Sequence, residues 1–459
     1  MNVWRARVLG ACVALVPLAV ATAWTTWCLA RVDAIEREVR PLGGLAYATF
    51  VQLAHDWSSG VGWIQTVHRG YAEEWRWGGH YTPLFFVTAW LSSFSESPWA
   101  LARVQVVAVG LGGLAAWKLG RAEAGLPGGG VGLALYFGSA PVTLLALADY
   151  QDLVLVLPTL LLAVWAARHA SPFGFLAAAA LLGATREEAL LLVPLVGLAG
   201  GVNRGVLGAA VTGAYLLLYR SLGPPPYPNP LADILLFQVH QARSFGVHAL
   251  GSLSPNLYGA MSGAAWPWLA LAPVTALPAV AVAAFHAQDP TAVGSVSSPA
   301  IHHLAPLTAA AIAAGIVGAG RLMRIGRAAA LVTVLAVAAV TWSAWVRWEP
   351  TFVQHGLRVQ GSGEHPAWGL LVDLPPDVAV LVPDDIAPVA ARRRWVVTLD
   401  SLGDRVRPAN VRYALDDGKL EGTVLAERGG WRLLRDPVLP AAREEHGTPG
   451  TPQGAIGRQ

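Results

Sequence analysis

Ala148-Asp149-Tyr150-Gln151-Asp152 sets two carboxylates between two long apolar runs, residues 131–147 upstream and 153–167 downstream, neither of which carries a charge. An acidic pair at such a junction has two readings. Either it lies at a membrane surface and merely caps and solvates a tight turn between two transmembrane helices, or it faces a polar cavity as part of a functional site.

Composition decides the class around that turn. Of 459 residues, 54% are hydrophobic and 13% charged, with a mean hydropathy of +0.47. These values define a polytopic membrane protein. The net charge of +3 and pI near 9.0 raise the question of nucleic acid. The basic residues, however, are dispersed at helix ends, where orientation in a membrane puts them, so no nucleic-acid partner is expected. Cys12 and Cys28 share the first apolar helix about 24 Å apart and cannot pair with each other. Many of the 19 Trp residues lie near span ends as interfacial anchors. Trp57, Trp63, Trp75 and Trp77 lie in a polar loop, suited either to a lipid or sugar ligand or to surface-lying helices.

Taken in order, residues 8–30 form a first span, and Arg5 and Arg7 before it place the N-terminus in the cytoplasm. The run exceeds a signal peptide's core and is read as a retained anchor. Residues 31–98 make a first outer loop, in which Phe85-Phe86-Val87 and Trp90-Leu91 are too short to cross and suit a helix lying in the interface. Spans at 99–119, 131–147, 153–167, 172–184, 190–201 and 206–222 alternate with basic ends at Lys118, Arg121, Arg168 and Arg204. A Pro-rich segment at 224–228 opens an outer loop reaching about residue 254. Keeping Arg321, Arg324 and Arg327 inside requires residues 255–287 to be two short spans turning at Ala272-Pro273. With 299–320 and 328–346, the total is about eleven spans.

The expected architecture is thus an all-α polytopic transmembrane module over residues 1–347, followed by a small extracytoplasmic α/β domain over 348–439 and a disordered tail over 440–459. The soluble part reads as strands at 378–382, 395–399, 412–415, 423–426 and 431–434, with a helix at 384–391 capped by Asp384.

This topology places the polar clusters on one side. His80, Asp149, Asp152, Arg186-Glu187-Glu188, the 240–243 region, His286, Asp289 and His302-His303 all face outward, so a site is expected at the extracytoplasmic rim, roofed by the first outer loop and the C-terminal domain. Group transfer from a lipid-borne donor suits such a rim: a carboxylate serves as general base toward an acceptor hydroxyl, and Arg or His holds a phosphate leaving group. Blander readings stand beside these. Glu187 and Glu188 pair with Arg186 at a helix start. His80 either binds an anion at the positive end of a helix opened by Pro83 or is a solvated cap. For His302 and His303 to hold a divalent metal, carboxylates must come from other segments; no cofactor is dictated.

Several segments resemble a bacterial membrane-protein family catalogued as domain of unknown function 2079 and related to the C-type glycosyltransferase superfamily. They are Gly79-His80-Tyr81-Thr82-Pro83-Leu84, Ala102-Arg103-Val104, Asp149-Tyr150-Gln151-Asp152, Arg186-Glu187-Glu188, His302-His303-Leu304-Ala305-Pro306 and Leu374-Pro375-Pro376-Asp377-Val378-Ala379-Val380. The resemblance implies a multi-pass inner-membrane scaffold that uses membrane lipids and a polyprenyl-phosphate-linked sugar, with a glycan, lipid or protein acceptor left open. It implies catalytic roles among Asp149, Asp152, Glu187 and Asp56, and donor-phosphate contacts from His80, Tyr81, Arg103, Arg186, Glu188, His302 and His303. One departure matters. The superfamily places a catalytic acid just before a Tyr-Ala pair, but Gly43, Gly44, Leu45 and Ala46 precede Tyr47-Ala48, and a second expected acid is Val51. Either Asp56, Asp149 or Glu187 has taken the base role, or the scaffold is a lipid-binding or assembly protein without transferase chemistry. A transporter is a third reading.

Overall fold

Backbone at membrane depth has no water to bond, so the apolar runs fold as helices and side-chain contacts decide their order. The computed structural model describes residues 3–38, 44–62, 64–65, 73–74, 82–95, 97, 99–222, 263–286, 299–354, 366–371, 374–375, 378–383, 386–393, 396–398 and 411–438. The chain is mostly helical with a small C-terminal sheet. It divides into two compact units, one of Met1–Gly43 with Arg76–Gly363 and one of Gly44–Trp75 with Glu364–Gln459.

The first unit is built on α4 (Ala100–Phe137), a nominal single helix that is two. Ala124 and Gly125 leave the helical region, Gly125 with φ 66°, and the arms fold back on each other. A Cβ at Gly120 would stand 2.1 Å from the Gly128 oxygen, and one at Gly132 would stand 2.3 Å from the Ala116 oxygen. The Tyr136 hydroxyl donates to the Val109 carbonyl at 2.7 Å. Contact positions rise along one arm as they fall along the other, which defines an antiparallel hairpin closed by glycine. Two spans were expected here, at 99–119 and 131–147, and the helix has two arms. Their turn, however, is at 124–125, and Gly128-Gly129-Gly130 lies inside the second arm, where Gly128 serves close packing. The first arm, residues 100–123, rises about 36 Å and exceeds the hydrocarbon thickness.

The neighbours follow the first arm. α1 (Val3–Glu38) runs against it: Thr25 fills the space a Cβ on Gly110 would need, and Asp33 Oδ1 pairs with Arg103 Nε at 3.0 Å. After α4 the chain breaks at Gly138-Ser139 and continues as α5 (Ala140–Leu147). A 3-10 turn (Asp152–Leu155) leads into α6 (Val156–His169). This helix runs parallel to the first arm, with Lys118 Nζ 3.5 Å above the Trp165 ring centroid. α7 (Pro172–Gly183) precedes α8 (Glu187–Leu198) and α9 (Val202–Leu222), a second hairpin turned at Gly201, whose φ is 111°. A 3-10 segment (Gly263–Leu271) and α10 (Pro273–His286) meet at Ala272, where the sequence reading placed a turn; residues 255–262 of the expected first short span lie outside the described residues. A short 3-10 turn (Pro299–Leu304) then opens α11 (Ala305–Met323), and α12 (Arg327–Gln354) follows. The span ending in α11 is 94% buried, which makes it the central strut.

About 30 Å along α4 from Arg103, one buried carboxylate ties three helices. Glu123 Oε1 accepts from Arg168 Nε at 2.6 Å and lies 2.9 Å from His169 Nε2, while Oε2 is 3.3 Å from Arg324 Nη2. The sequence reading gave these turns only orienting cations. Glu123 shows that they also anchor α4, α6 and α11.

In the second unit, β1 (Ile64–Gln65) and β2 (Glu73–Glu74) form a short antiparallel pair, and five later strands form a sheet in the order β4-β3-β5-β7-β6. Its strands are β3 (Val380–Val382), β4 (Val396–Thr398), β5 (Tyr413–Asp416), β6 (Glu421–Arg428) and β7 (Trp431–Val438). β3 pairs in parallel with β4 and β5, whereas β7 is antiparallel to β5 and β6. Each expected strand is present with shifted ends. α2 (Gly44–Ser58), from the first loop, packs on the short helix Ala387–Ala390. Residues 47–54 are buried on every face, and Gln52 Nε2 donates to the Arg393 carbonyl at 3.0 Å. Asp384, the 224–254 loop and the 440–459 tail lie outside the described residues.

Asp416 organises the β5–β6 turn. It accepts from the backbone N–H groups of Gly418, Lys419 and Leu420 and from Arg432 Nη2 at 2.6 Å. Burial opposes its charge, but Arg432 and the three N–H groups hold the carboxyl below its ordinary value. Asp416→Ala should destabilise this unit by about 2–3 kcal/mol at neutral pH, read from thermal unfolding. The difference from wild type should shrink only as pH falls below about 4, because a depressed carboxyl contributes above its unfolded pKa and loses that contribution through its folded one. Gly120→Ala should cost about 1–3 kcal/mol in detergent melts, since its Cβ meets backbone that cannot yield.

Candidate functional site

Four turns gather at the Arg103 end of the first unit. The first is Ala148–Gln151, between α5 and the 3-10 turn that begins at Asp152. The second is Ala184-Thr185-Arg186, between α7 and α8. The third is the start of α3 (Pro83–Ser92), and the fourth is the 3-10 turn carrying His302 and His303. The contacts joining them are specific. Leu84 N–H donates to the Ala184 carbonyl at 2.9 Å, fixing the start of α3 on the α7–α8 turn. Pro83 sits at the N-terminal positions of α3, as its fixed φ favours, and the buried face carries Phe85, Thr88, Ala89 and Ser92. Val87, Trp90 and Leu91 are exposed on the other face, the pattern expected of an interfacial helix. The Asp152 turn packs against the His302 turn.

Charge is concentrated between the first and second of these turns. Asp152 is 1% exposed and Arg186 is 4% exposed. Asp152 Oδ1 accepts from Leu153 N–H at 2.8 Å and faces Arg186 Nη1 at 3.4 Å. Arg186 Nε lies 2.9 Å from Glu188 Oε2, close enough for an ion pair, although the N–H is not aligned for a hydrogen bond. Glu187 is buried at the first turn of α8, where the helix dipole favours an acid. Burial works against the Arg186 charge, and Glu188, Asp152 and Glu187 together hold it on. The pairing of Arg186 with its own helix start is therefore real, and it coexists with the reach to Asp152.

Asp149 stands apart from that pair. It is 6% exposed, and its Oδ1 has no hydrogen-bond partner among the described residues. Burial pushes its carboxyl up to about 8. Tyr150, beside it, is fully buried; its hydroxyl is 2.7 Å from Thr88 Oγ1, and its ring is 5.9 Å from Phe85. α3 is thereby fastened to the acidic turn.

The remaining expected residues fall as follows. Arg103 is held by Asp33. His302 and His303 are half-buried. Adjacent helical residues diverge by about 100°, yet these two rings turn toward each other with centroids 4.3 Å apart. Asp56 is buried on α2 in the second unit. His80, Tyr81, Trp63, Trp75, Trp77, the 240–243 region and Asp289 lie outside the described residues, as does the side chain of His286. Among the described residues, no three His, Cys, Asp or Glu side chains are arranged to hold a metal ion.

Sequence reading missed Gln105 and Thr88. Gln105 is the sole polar side chain in residues 104–116, and that isolation was a usable signal. Thr88 had none, because a threonine in an amphipathic helix is ordinary.

The fold of this chain, with its helical hairpins and the polar turns gathered at one end of the first unit, has a counterpart among solved structures. The chain is similar to the crystal structure of ArnT from Cupriavidus metallidurans in the apo state, with TM-score 0.50 and 14% identity over 91% of this chain and 98% of that one. The apo oligosaccharyltransferase of Archaeoglobus fulgidus aligns at TM-score 0.39 and 12% identity, over 88% of this chain and 70% of that one. Residues 42–223 match the family described as "Predicted membrane protein (DUF2079)". The resemblance read from the motifs holds for that stretch, which contains the acidic turn and Arg186. No curated protein matches in sequence.

The buried Asp149 carboxyl sets a stability prediction. A carboxyl whose folded pKa is raised from 3.8 to about 8 favours the fold only when protonated, so stability falls as pH rises through that interval. Asp149→Asn should flatten this fall in thermal melts between about pH 4 and pH 8.

Proposed function

We propose that the protein is a membrane glycosyltransferase that moves a sugar from a polyprenyl-phosphate donor to an acceptor at the extracytoplasmic face of a bacterial inner membrane. The observation that carries this reading is the meeting of the Asp149–Asp152 turn, Arg186, the start of α3 and the His302 turn at one end of a bundle with this fold. The basic end around Glu123 faces the cytoplasm in this reading, by the positive-inside rule. That orientation puts the N-terminus inside and the C-terminal unit outside.

In the proposed reaction an acceptor hydroxyl loses its proton to a carboxylate as its oxygen attacks the anomeric carbon. The bond from that carbon to the phosphate oxygen breaks, and the lipid phosphate departs with inversion. Asp149 is the assigned base. With its carboxyl at about 8, the basic form grows as pH rises, so kcat/KM should climb through that region. Asp152 and Glu187 support the site by holding Arg186. Since three carboxylates already face Arg186, the phosphate falls chiefly to His80, Tyr81, His302 and His303, with Arg103 and Glu188 at the margin. Asp56 is the alternative base. Membrane lipids are direct partners, and the acceptor's class is open.

A second reading, a lipid-binding or assembly protein without turnover, is favoured by one observation. Tyr47, Ala48 and Val51, around which the superfamily carries its early acids, are buried within α2. Purified protein in lipid nanodiscs, given polyprenyl-phosphate sugars, separates the two. Transfer by wild type that drops about 10²–10⁴-fold in Asp149→Asn and also falls in Arg186→Ala supports the first. Lipid binding without transfer supports the second, and transfer indifferent to both substitutions overturns the assignment of this site.

A further inference from the structure

The segment Ala148–Gln151 is irregular backbone between two apolar helices, and such backbone must find partners for its polar groups. At the end of α5 the last carbonyls have no helical N–H to accept from. One side chain meets this need. Gln105, 0% exposed on the first arm of α4, places Nε2 3.1 Å from the Leu145 carbonyl and 3.0 Å from that of Ala148. The Ala146 and Asp149 carbonyls follow at 3.4 and 3.3 Å. Its Oε1 accepts the Gln151 N–H at 2.9 Å. Both ends of a single carboxamide are thus spent on the turn, donor end toward α5 and acceptor end toward Asp152. No shorter or apolar side chain does both.

We propose that Gln105 is a positioning residue for the acidic turn: by bridging the carbonyls of α5 to the Gln151 N–H, it sets where Asp149 and Asp152 stand and keeps water from the Asp149 carboxyl. This deepens the transferase reading, on which the importance of the turn rests, but the geometry is independent of turnover. Gln105 touches neither acid's carboxyl and acts through the backbone. Thr88 and Phe85 hold the same turn through Tyr150, so losing Gln105 loosens one tie and leaves the other.

The test uses full-length protein in nanodiscs and two readouts that need no substrate. Infrared titration follows the protonated carboxyl band of Asp149, identified by its loss in Asp149→Asn, and hydrogen exchange follows the Gln151 amide. In Gln105→Met, of similar length without polar atoms, the Asp149 midpoint should fall by about one pH unit or more as water enters. Gln151 exchange should rise about tenfold or more. Val106→Ala, a buried neighbour on the same helix that does not hold the turn, should lower the melting temperature while leaving both readouts in place. If Gln105→Met moves neither, or Val106→Ala moves both equally, the proposal is overturned. Should Gln105→Met not fold, wild type decides: a Gln151 amide that exchanges as fast as an exposed one rejects the bridge, and a strongly protected one upholds it. Absence of sugar transfer by wild type would count against the transferase reading alone.

Discussion

The close approach of Gly120 to Gly128 is the contact on which the first unit depends. Two helices meet at backbone distance, and everything else takes its direction from the first arm of that hairpin. α1 lies along it through Thr25 and Asp33, α6 lies along it through Trp165 and Arg168, and α11 reaches it through Arg324. In a bilayer there is little hydrophobic gain from placing one apolar helix on another, so packing and a few polar ties decide the arrangement. The glycines supply the packing, and the charged side chains at the two ends supply the ties.

The two ends use charge in opposite ways. At one, a single acid, Glu123, is surrounded by Arg168, His169 and Arg324. At the other, a single buried base, Arg186, is surrounded by Asp152, Glu187 and Glu188. The first arrangement closes a joint between helices. The second draws three acids to one guanidinium at a place where the backbone is irregular and the His302 turn packs close by.

Much of this was legible in the sequence. The acidic turn, the break at Ala272-Pro273, Pro83 opening a helix and every strand of the C-terminal sheet follow from apolar runs, proline positions and alternation, which are local signals. The parts that were not legible are relational. Nothing local to Glu123 says that three cations from distant helices will reach it, and nothing in Gln105 names the turn it holds. Gly128-Gly129-Gly130 falls between the expected spans at 99–119 and 131–147, yet here Gly128 faces the neighbouring arm of its own hairpin. The enrolment of α2 in the second unit is likewise invisible, since its apolar surface fits a membrane interface equally well.

That enrolment has a consequence in time. Gln52 and its acceptor on Arg393 are separated by 341 residues, and the ribosome makes one long before the other. At ordinary elongation rates the apolar surface of α2 waits roughly 17–70 s for the strands and short helix that cover it. During that interval nearly the whole transmembrane unit is synthesised and inserted. Completion of the sheet unit is thus a late event, and until the strands are made the apolar surface of α2 stays uncovered.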